Sequence, residues 1–157
     1  MDYLKSFGVD VGQGKYDEEI AYSLALIYNL YYNEVSAYLQ SFNLTPAKLN
    51  ALMIIKHRSQ AQGISQVDMS KYLIVTPSSM TRLIDNLEKE KLVTRSAQKA
   101  DRRVNLIGIT AKGSNLIDKV WPGYLTILKK MAVPLKKGDQ KNLSSLLLGW
   151  LSRLPER

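Results

Sequence analysis

Residues 76–89 bring hydroxyl, amide and cationic side chains together at helical spacing. Thr76 followed by Pro77 is typical of a helix start, with threonine as the N-cap and proline in the first turn. Apolar residues recur from Met80 to Leu87 at steps of three and four, so the polar side chains fall on the opposite face. Small hydroxyls allow close approach to a groove, and arginine and amide groups can reach the phosphates and base edges of a nucleic acid. An ordinary solvated helix face would also fit this pattern. The candidate contact residues are Thr76, Pro77, Ser78, Ser79, Arg82, Asn86 and Lys89.

A second group of charged side chains lies between two β-prone runs, residues 92–94 and 104–109. The polar segment between the runs indicates a hairpin with a long tip. An exposed arginine on such a loop can enter a minor groove, where narrow A·T-rich segments concentrate negative potential. Asp101 stands two residues before Arg103 and is suited to accept its hydrogen bonds and fix its direction. A plain surface hairpin is the alternative. The candidate hairpin residues are Arg95, Lys99, Asp101, Arg102 and Arg103.

The chain offers little for catalysis, metal binding or cofactor binding. It has no cysteine, which excludes thiolate metal sites, disulfides and thiol redox sensing, and His57 is its single histidine. The carboxylates of Asp85, Glu88 and Asp101 are not arranged as a catalytic pair. The Gly-Gln-Gly at 12–14 lacks the other elements of a phosphate-binding loop. We therefore expect neither an enzyme nor a bound cofactor.

The composition indicates one compact unit with an uneven charge. The chain has 157 residues, 45% of them apolar, and a formal net charge of +8. Residues 56–112 hold eleven basic and five acidic side chains, which suits a polyanionic partner or simply a basic, soluble surface. No apolar run is long enough to span a membrane and no secretory leader is evident, so we expect a cytoplasmic protein.

Apolar periodicity predicts long helices on both sides of these two groups. Residues 1–16 show no periodicity and are expected to form a flexible tail, and a helix is predicted over 17–42. Two further helices are predicted within 111–154, separated by a break at 137–139. Pro122-Gly123 is expected to interrupt and kink the first of them.

Short helices are predicted between these long ones from their caps. Thr45 before Pro46 indicates one helix start, and Ser65 with Asp68 three residues later indicates another, in the manner of a capping box. Thr110 is expected to cap the helix that follows the hairpin. Because the Ser65 helix and the Thr76 helix are separated by only a few residues, their spacing is that of a helix-turn-helix.

With these motifs in place, residues 17–154 resemble the MarR family of winged helix-turn-helix regulators. The family pattern of an acidic residue, an arginine two residues later, and an aliphatic residue followed by threonine is met within DRRVNLIGIT, residues 101–110. TRLIDNLEKEKLVTR resembles the recognition helix running into the first wing strand, and LTPAKLNAL resembles the start of the family's second helix. Two residues depart from the pattern: Lys91 stands where glycine is usual, and Ser70 where alanine is commoner.

The resemblance implies a mainly α fold with a small β-wing. The winged helix-turn-helix lobe, 44–110, would bind double-stranded DNA, and dimerisation helices 17–42 and 111–154 would form a homodimer. It implies a transcriptional regulator, in our interpretation a repressor, that reads a pseudo-palindromic operator. A winged-helix module for protein interaction, without DNA readout, is the alternative.

The resemblance also implies a small aromatic or phenolic effector in a cleft between the dimerisation helices and the DNA lobe. Four tyrosines of the first helix, together with a histidine, could line such a cleft, or the tyrosines could serve core and dimer packing. No effector residue is assigned between these alternatives. The side chains concerned are Tyr28, Tyr31, Tyr32, Tyr38 and His57.

Overall fold

The computed structural model of the chain describes residues 3–10, 14–59, 63–73, 77–97 and 105–155. Within these ranges the fold is mainly helical, with a small antiparallel sheet. A 3-10 turn, Lys5–Phe7, lies in the segment expected to be a flexible tail. The elements are α1 (Tyr16–Gln40), α2 (Pro46–Arg58), β1 (Ile64–Ser65), α3 (Gln66–Ser70), α4 (Pro77–Lys89), β2 (Val93–Ala97), β3 (Asn105–Ile109), α5 (Ala111–Ala132) and α6 (Lys137–Leu151).

Three of the predicted helix caps are confirmed by their hydrogen bonds. The hydroxyl of Thr45 accepts from the backbone N–H of residue 48 at 3.2 Å, and that of Thr110 from residue 113 at 3.0 Å. The hydroxyl of Ser65 accepts from the N–H of Asp68 at 3.0 Å and donates to its carboxylate at 2.7 Å. Each cap satisfies a backbone donor that the helix itself leaves unpaired, and so fixes where the helix begins.

The sheet has the strand order β1-β3-β2 and is antiparallel throughout. Val93 pairs with Ile109 and Ala97 with Asn105, which confirms the predicted pairing of the two strands and extends the first strand to Ala97. β1, which pairs Ile64 with Ile107, was missed by sequence reasoning. Two residues are too few to show a strand periodicity, and β1 is defined only by its pairing with β3.

The buried core joins the helix-turn-helix to the long helices. Leu52, Ile55, Ile84 and Ile107 are fully buried where α2, α4 and the sheet meet. The same cluster continues to α1 and α5 through residues such as Val35, Leu39, Ile117 and Val120. Burial of this apolar surface is the main stabilising contribution to the fold.

Helix α5 continues through Pro122, so the predicted interruption is wrong. Proline removes one backbone donor, but its fixed φ is compatible with a helix, and α5 packs against α1. Gly123 allows this packing, because a Cβ there would lie 2.2 Å from the Tyr38 hydroxyl oxygen. That hydroxyl donates to the carbonyl oxygen of Val120 at 2.9 Å.

Two of the predicted helix boundaries also move. The first helix ends at Gln40 instead of 42, and Asn43 then turns with a positive φ of 55°. The break between the last two helices lies at 133–136, and Lys137 already belongs to α6. Among the described residues, no helix is long and apolar enough to cross a membrane.

Candidate nucleic-acid interface

Helix α4 has the two faces that the sequence predicted. Met80, Ile84 and Leu87 are buried, and Leu83 packs against the core. The opposite face is exposed to solvent and holds five of the predicted contact residues: Ser78, Ser79, Arg82, Asn86 and Lys89. Pro77 begins the helix, while Thr76 lies outside the described residues.

Helix α3 precedes α4 and completes the helix-turn-helix. Met69 on α3 is fully buried, and Leu73 just beyond it packs against the core. Between the two helices runs a shallow groove of about 230 Å³. Its lining is polar and apolar in turn: Gln66, Val67, Ser70, Met80 and Thr81.

Arg95 lies on β2, beside α4, and is engaged by two carboxylates of that helix. Its guanidinium pairs with Asp85 and, at 3.2 Å, with Glu88. Its side chain is 26% exposed. The sequence placed Arg95 among the DNA-contacting cations of the hairpin, whereas the structure shows it bound to the neighbouring helix. Its DNA contact therefore stays a prediction.

The turn from α4 into the hairpin is held at several points. Lys91 adopts a φ of 60°, a left-handed conformation that is costly for a residue with a Cβ. The Thr110 hydroxyl lies within donating distance of the carbonyl oxygens of Lys91, at 2.9 Å, and Leu92, at 3.0 Å. Lys48 pairs with Glu90 at 2.6 Å. The base of the hairpin is therefore fixed to both α2 and α5.

The remaining hairpin candidates lie outside the described residues. They are Lys99, Asp101, Arg102 and Arg103, and their predicted contacts with DNA remain predictions. The described strands set where the tip begins and ends, because Ala97 pairs with Asn105.

A second feature is a cleft of about 570 Å³ between α1, α2 and the end of α3. Tyr28 and Tyr32 line it, as the sequence suggested for the aromatic residues of α1. The other lining residues, which the sequence analysis did not assign to the cleft, are Pro46, Ala47, Asn50, Met53, Ile54, Tyr72 and Leu73. Tyr72 follows α3 by two residues, and an aromatic side chain at this place was a signal from which its position in the cleft could have been expected.

The other suggested cleft residues lie elsewhere. Tyr31 and Tyr38 contact α5 through the hydroxyl of Tyr124 and the carbonyl of Val120. His57 is exposed and does not line the cleft. Burial and the Tyr124 hydroxyl raise the pKa of Tyr31 above its ordinary range, which keeps this phenol protonated.

The lining of the cleft carries no charged side chain among the described residues. Its polar groups are the phenols of three tyrosines and the amide of Asn50. The guanidinium of Arg58 lies 5.0 Å from the ring centre of Tyr72, one of the lining residues. The described residues also contain no group of three or more acidic or histidine side chains able to hold a metal ion.

Helices α3 and α4, with an exposed polar face on α4 and a β-hairpin directly after it, define a winged helix-turn-helix DNA-binding protein. A sequence profile of the MarR family matches residues 44–104. The chain is 35% identical over 122 residues to the uncharacterized HTH-type transcriptional regulator YhbI of Bacillus subtilis, covering 75% of this chain and 74% of that protein. It belongs to the MarR family, whose members are transcriptional regulators and not enzymes.

Further relatives agree with this assignment. The HTH-type transcriptional regulator MhqR of Bacillus subtilis is 23% identical over 124 residues, which covers 79% of this chain and 83% of MhqR. The HTH-type transcriptional repressor MdtR of the same organism is 26% identical over 112 residues, covering 71% of this chain and 70% of MdtR.

Solved structures show the same fold. The DNA complex of S. aureus MepR superposes with a TM-score of 0.78 at 24% identity, covering 85% of this chain and 97% of MepR. A mutant E. coli MarR complexed with operator DNA superposes with a TM-score of 0.79 at 19% identity, covering 90% of this chain and 99% of that MarR chain. Bordetella bronchiseptica BpsR, whose DNA binding is regulated by 6-hydroxynicotinic acid, superposes with a TM-score of 0.78 at 23% identity. The match covers 92% of this chain and 100% of BpsR.

Proposed function

We propose that this DNA-binding regulator acts as a homodimeric repressor on a pseudo-palindromic operator and is released by a small aromatic or phenolic molecule. Residues 44–110 form its DNA-binding lobe, and helices within 17–42 and 111–154 form its dimer interface. The observation that carries the proposal is the exposed polar face of α4, opposite a buried apolar face.

The face of α4 suits a major groove. Arg82 and Asn86 are exposed near the middle of the helix, where an arginine or an amide can bind base edges in pairs of hydrogen bonds. Ser78 and Ser79 at its start, and Lys89 at its end, suit phosphate contacts that set the register of the helix on the duplex. Arg103, oriented by Asp101, is proposed to enter the adjacent minor groove.

The homodimer is supported by the apolar surface of the long helices. Helix α6 buries no side chain in the single chain, and Leu146 is 73% exposed. In the first half of α1, Ile20 is 49% and Ile27 54% exposed. Exposed apolar side chains on these helices would be buried in a dimer, and two copies related by a two-fold axis would present two α4 helices to successive major grooves.

Repression and release are supported by the relatives. MdtR is a repressor, MarR binds operator DNA, and BpsR responds to a small hydroxylated aromatic acid. In this chain the cleft beside α1, α2 and α3 lies between the helix-turn-helix and a proposed dimer helix. A ligand there would shift the balance between conformations with different spacings of the two lobes.

The test is selection of duplex fragments by the purified protein, followed by affinity measurements on the selected operator. Arg82→Ala should lower affinity by about tenfold to a hundredfold and change the preferred bases, because a paired arginine–guanine contact contributes about 1–3 kcal/mol. Lys99→Ala should weaken binding to all sequences alike. It should also reduce the slope of log affinity against log salt concentration by about one, the effect of losing one phosphate contact.

The matched control is Arg153→Ala, which removes an exposed arginine beyond the end of α6. It should leave the sequence preference unchanged. Failure to select any sequence, or an Arg82→Ala variant with unaltered affinity and preference, would favour the protein-interaction alternative over DNA readout.

A further inference from the structure

Helix α4 carries acidic side chains on or beside the face proposed to meet DNA. Asp85 is three residues after Arg82 and four before Lys89, so the three share one stripe of the helix. Its side chain is 41% exposed, and that of Glu88 on the adjacent stripe is 39% exposed. Two carboxylates at this position would repel phosphates of a bound duplex.

The cation that pairs with both carboxylates comes from the hairpin and not from the helix. Arg95 on β2 contacts Asp85 with one terminal nitrogen and Glu88 with the other. A guanidinium is suited to this arrangement because its planar set of donors can bind two acceptors at once. The third acidic residue of this segment, Glu90, is paired with Lys48 at 2.6 Å.

We propose that Arg95, in place of the DNA contact predicted for it from the sequence, is a positioning residue for DNA binding that acts by neutralising Asp85 and Glu88. This inference rests on the proposed DNA readout by α4 and adds a role for the hairpin that is independent of its tip. With Arg95 in place, the exposed face of α4 presents Arg82 and Lys89 to DNA while its carboxylates are held by β2. Without Arg95, two uncompensated negative charges lie beside them.

The experiment uses the full-length protein and the duplex that the wild type selects, with affinity measured by fluorescence anisotropy at several salt concentrations. Arg95→Met should weaken binding by about tenfold or more, and the loss should shrink as salt screens the carboxylates. Asp85→Asn and Glu88→Gln introduced into the Arg95→Met protein should restore affinity to within about threefold of wild type, since the charge needing neutralisation is gone.

The double variant Asp85→Asn with Glu88→Gln, retaining Arg95, should bind at least as tightly as wild type. It keeps the inference testable even if Arg95→Met does not fold. Lys5→Met is the matched charge control, because it breaks the ion pair with Asp10 at 3.2 Å in the N-terminal segment, outside the DNA-binding lobe and the proposed dimer helices. It should change affinity by less than about twofold.

Three results would overturn the inference. One is wild-type affinity in Arg95→Met, and another is a triple variant that is folded but as weak as Arg95→Met, since this would mean that Arg95 binds DNA itself. The third is a loss of about tenfold in the Asp85→Asn, Glu88→Gln protein. Arg82→Ala is measured on the same duplex. If Arg82→Ala weakens binding while the Arg95 variants do not behave as expected, only this inference fails. If Arg82→Ala also has no effect, the proposed DNA readout by α4 fails as well.

Discussion

The hydroxyl oxygens of Tyr31 on α1 and Tyr124 on α5 lie 2.7 Å apart and join two helices that are distant in sequence. Tyr38, two turns further along α1, repeats the connection through the backbone of Val120. These contacts fix the long helices relative to each other within one chain. They therefore set the platform from which the DNA-binding lobe extends.

Removing one hydroxyl group of the Tyr31–Tyr124 pair should destabilise the folded chain by about 1 kcal/mol, the usual contribution of a side-chain hydrogen bond. Tyr31→Phe and Tyr124→Phe should each show this loss in urea unfolding. The double variant should be no less stable than either single one, because the second phenol has already lost its partner. Fully additive losses would contradict a direct interaction.

Stability should fall at alkaline pH through Tyr31. Burial raises the pKa of Tyr31 in the folded state above the ordinary value near 10, so the folded protein binds this proton more tightly than the unfolded chain does. Its contribution is complete below about pH 10 and is lost as pH rises further. Urea unfolding measured from pH 8 to 11 should show a shallower decline for Tyr31→Phe than for Tyr22→Phe, an exposed tyrosine of the same helix.

Alanine at Gly113 should disturb the base of the hairpin. A Cβ there would lie 2.2 Å from the carbonyl oxygen of Leu92, so the first turn of α5 must move away from the strand. We expect a loss of about 1–3 kcal/mol in the free energy of unfolding, with weaker DNA binding. Gly138→Ala, in open space on α6, is the control and should be neutral or slightly stabilising.

A charge on α6 should separate the proposed dimer. Leu146 is 73% exposed in the single chain, so Leu146→Glu would cost little in a monomer but would place a charge in an apolar interface. Sedimentation should show a shift towards monomer, accompanied by weaker operator binding. Thr94→Glu adds the same charge to an exposed site on β2 and should leave the association state unchanged. An unaltered dimer in Leu146→Glu would exclude α6 from the interface.

The cleft should prefer a neutral phenol to an aromatic carboxylate, because its described lining is aromatic, apolar and uncharged. A neutral phenol such as p-cresol should raise the melting temperature and weaken operator binding more than benzoate does. Tyr72→Ala should remove the effect, and Tyr22→Ala, on α1 but outside the cleft, should not. An equal response of both variants would place the ligand elsewhere.

Much of the fold could be predicted from the sequence, because helix caps and amphipathic patterns depend on residues that are close together along the chain. Thr45, Ser65 and Thr110 act as predicted because a cap depends on residues within one helical turn. The amphipathic pattern of α4 likewise gave its buried and exposed faces. Pro122 misled because its helix-breaking tendency is also local, whereas the packing of Gly123 against Tyr38 is a tertiary contact.

The sequence by itself determined the helix-turn-helix, the hairpin and the family, since each rests on residue types at short, fixed spacings. Only the tertiary structure decided which partner each polar side chain contacts. It paired Arg95 with two carboxylates instead of leaving it on the hairpin surface, and it divided the tyrosines of α1 between the cleft and α5. The physical reason is that a side chain's partners are set by elements brought together through burial, and the spacing of residues along the chain does not encode which elements those are.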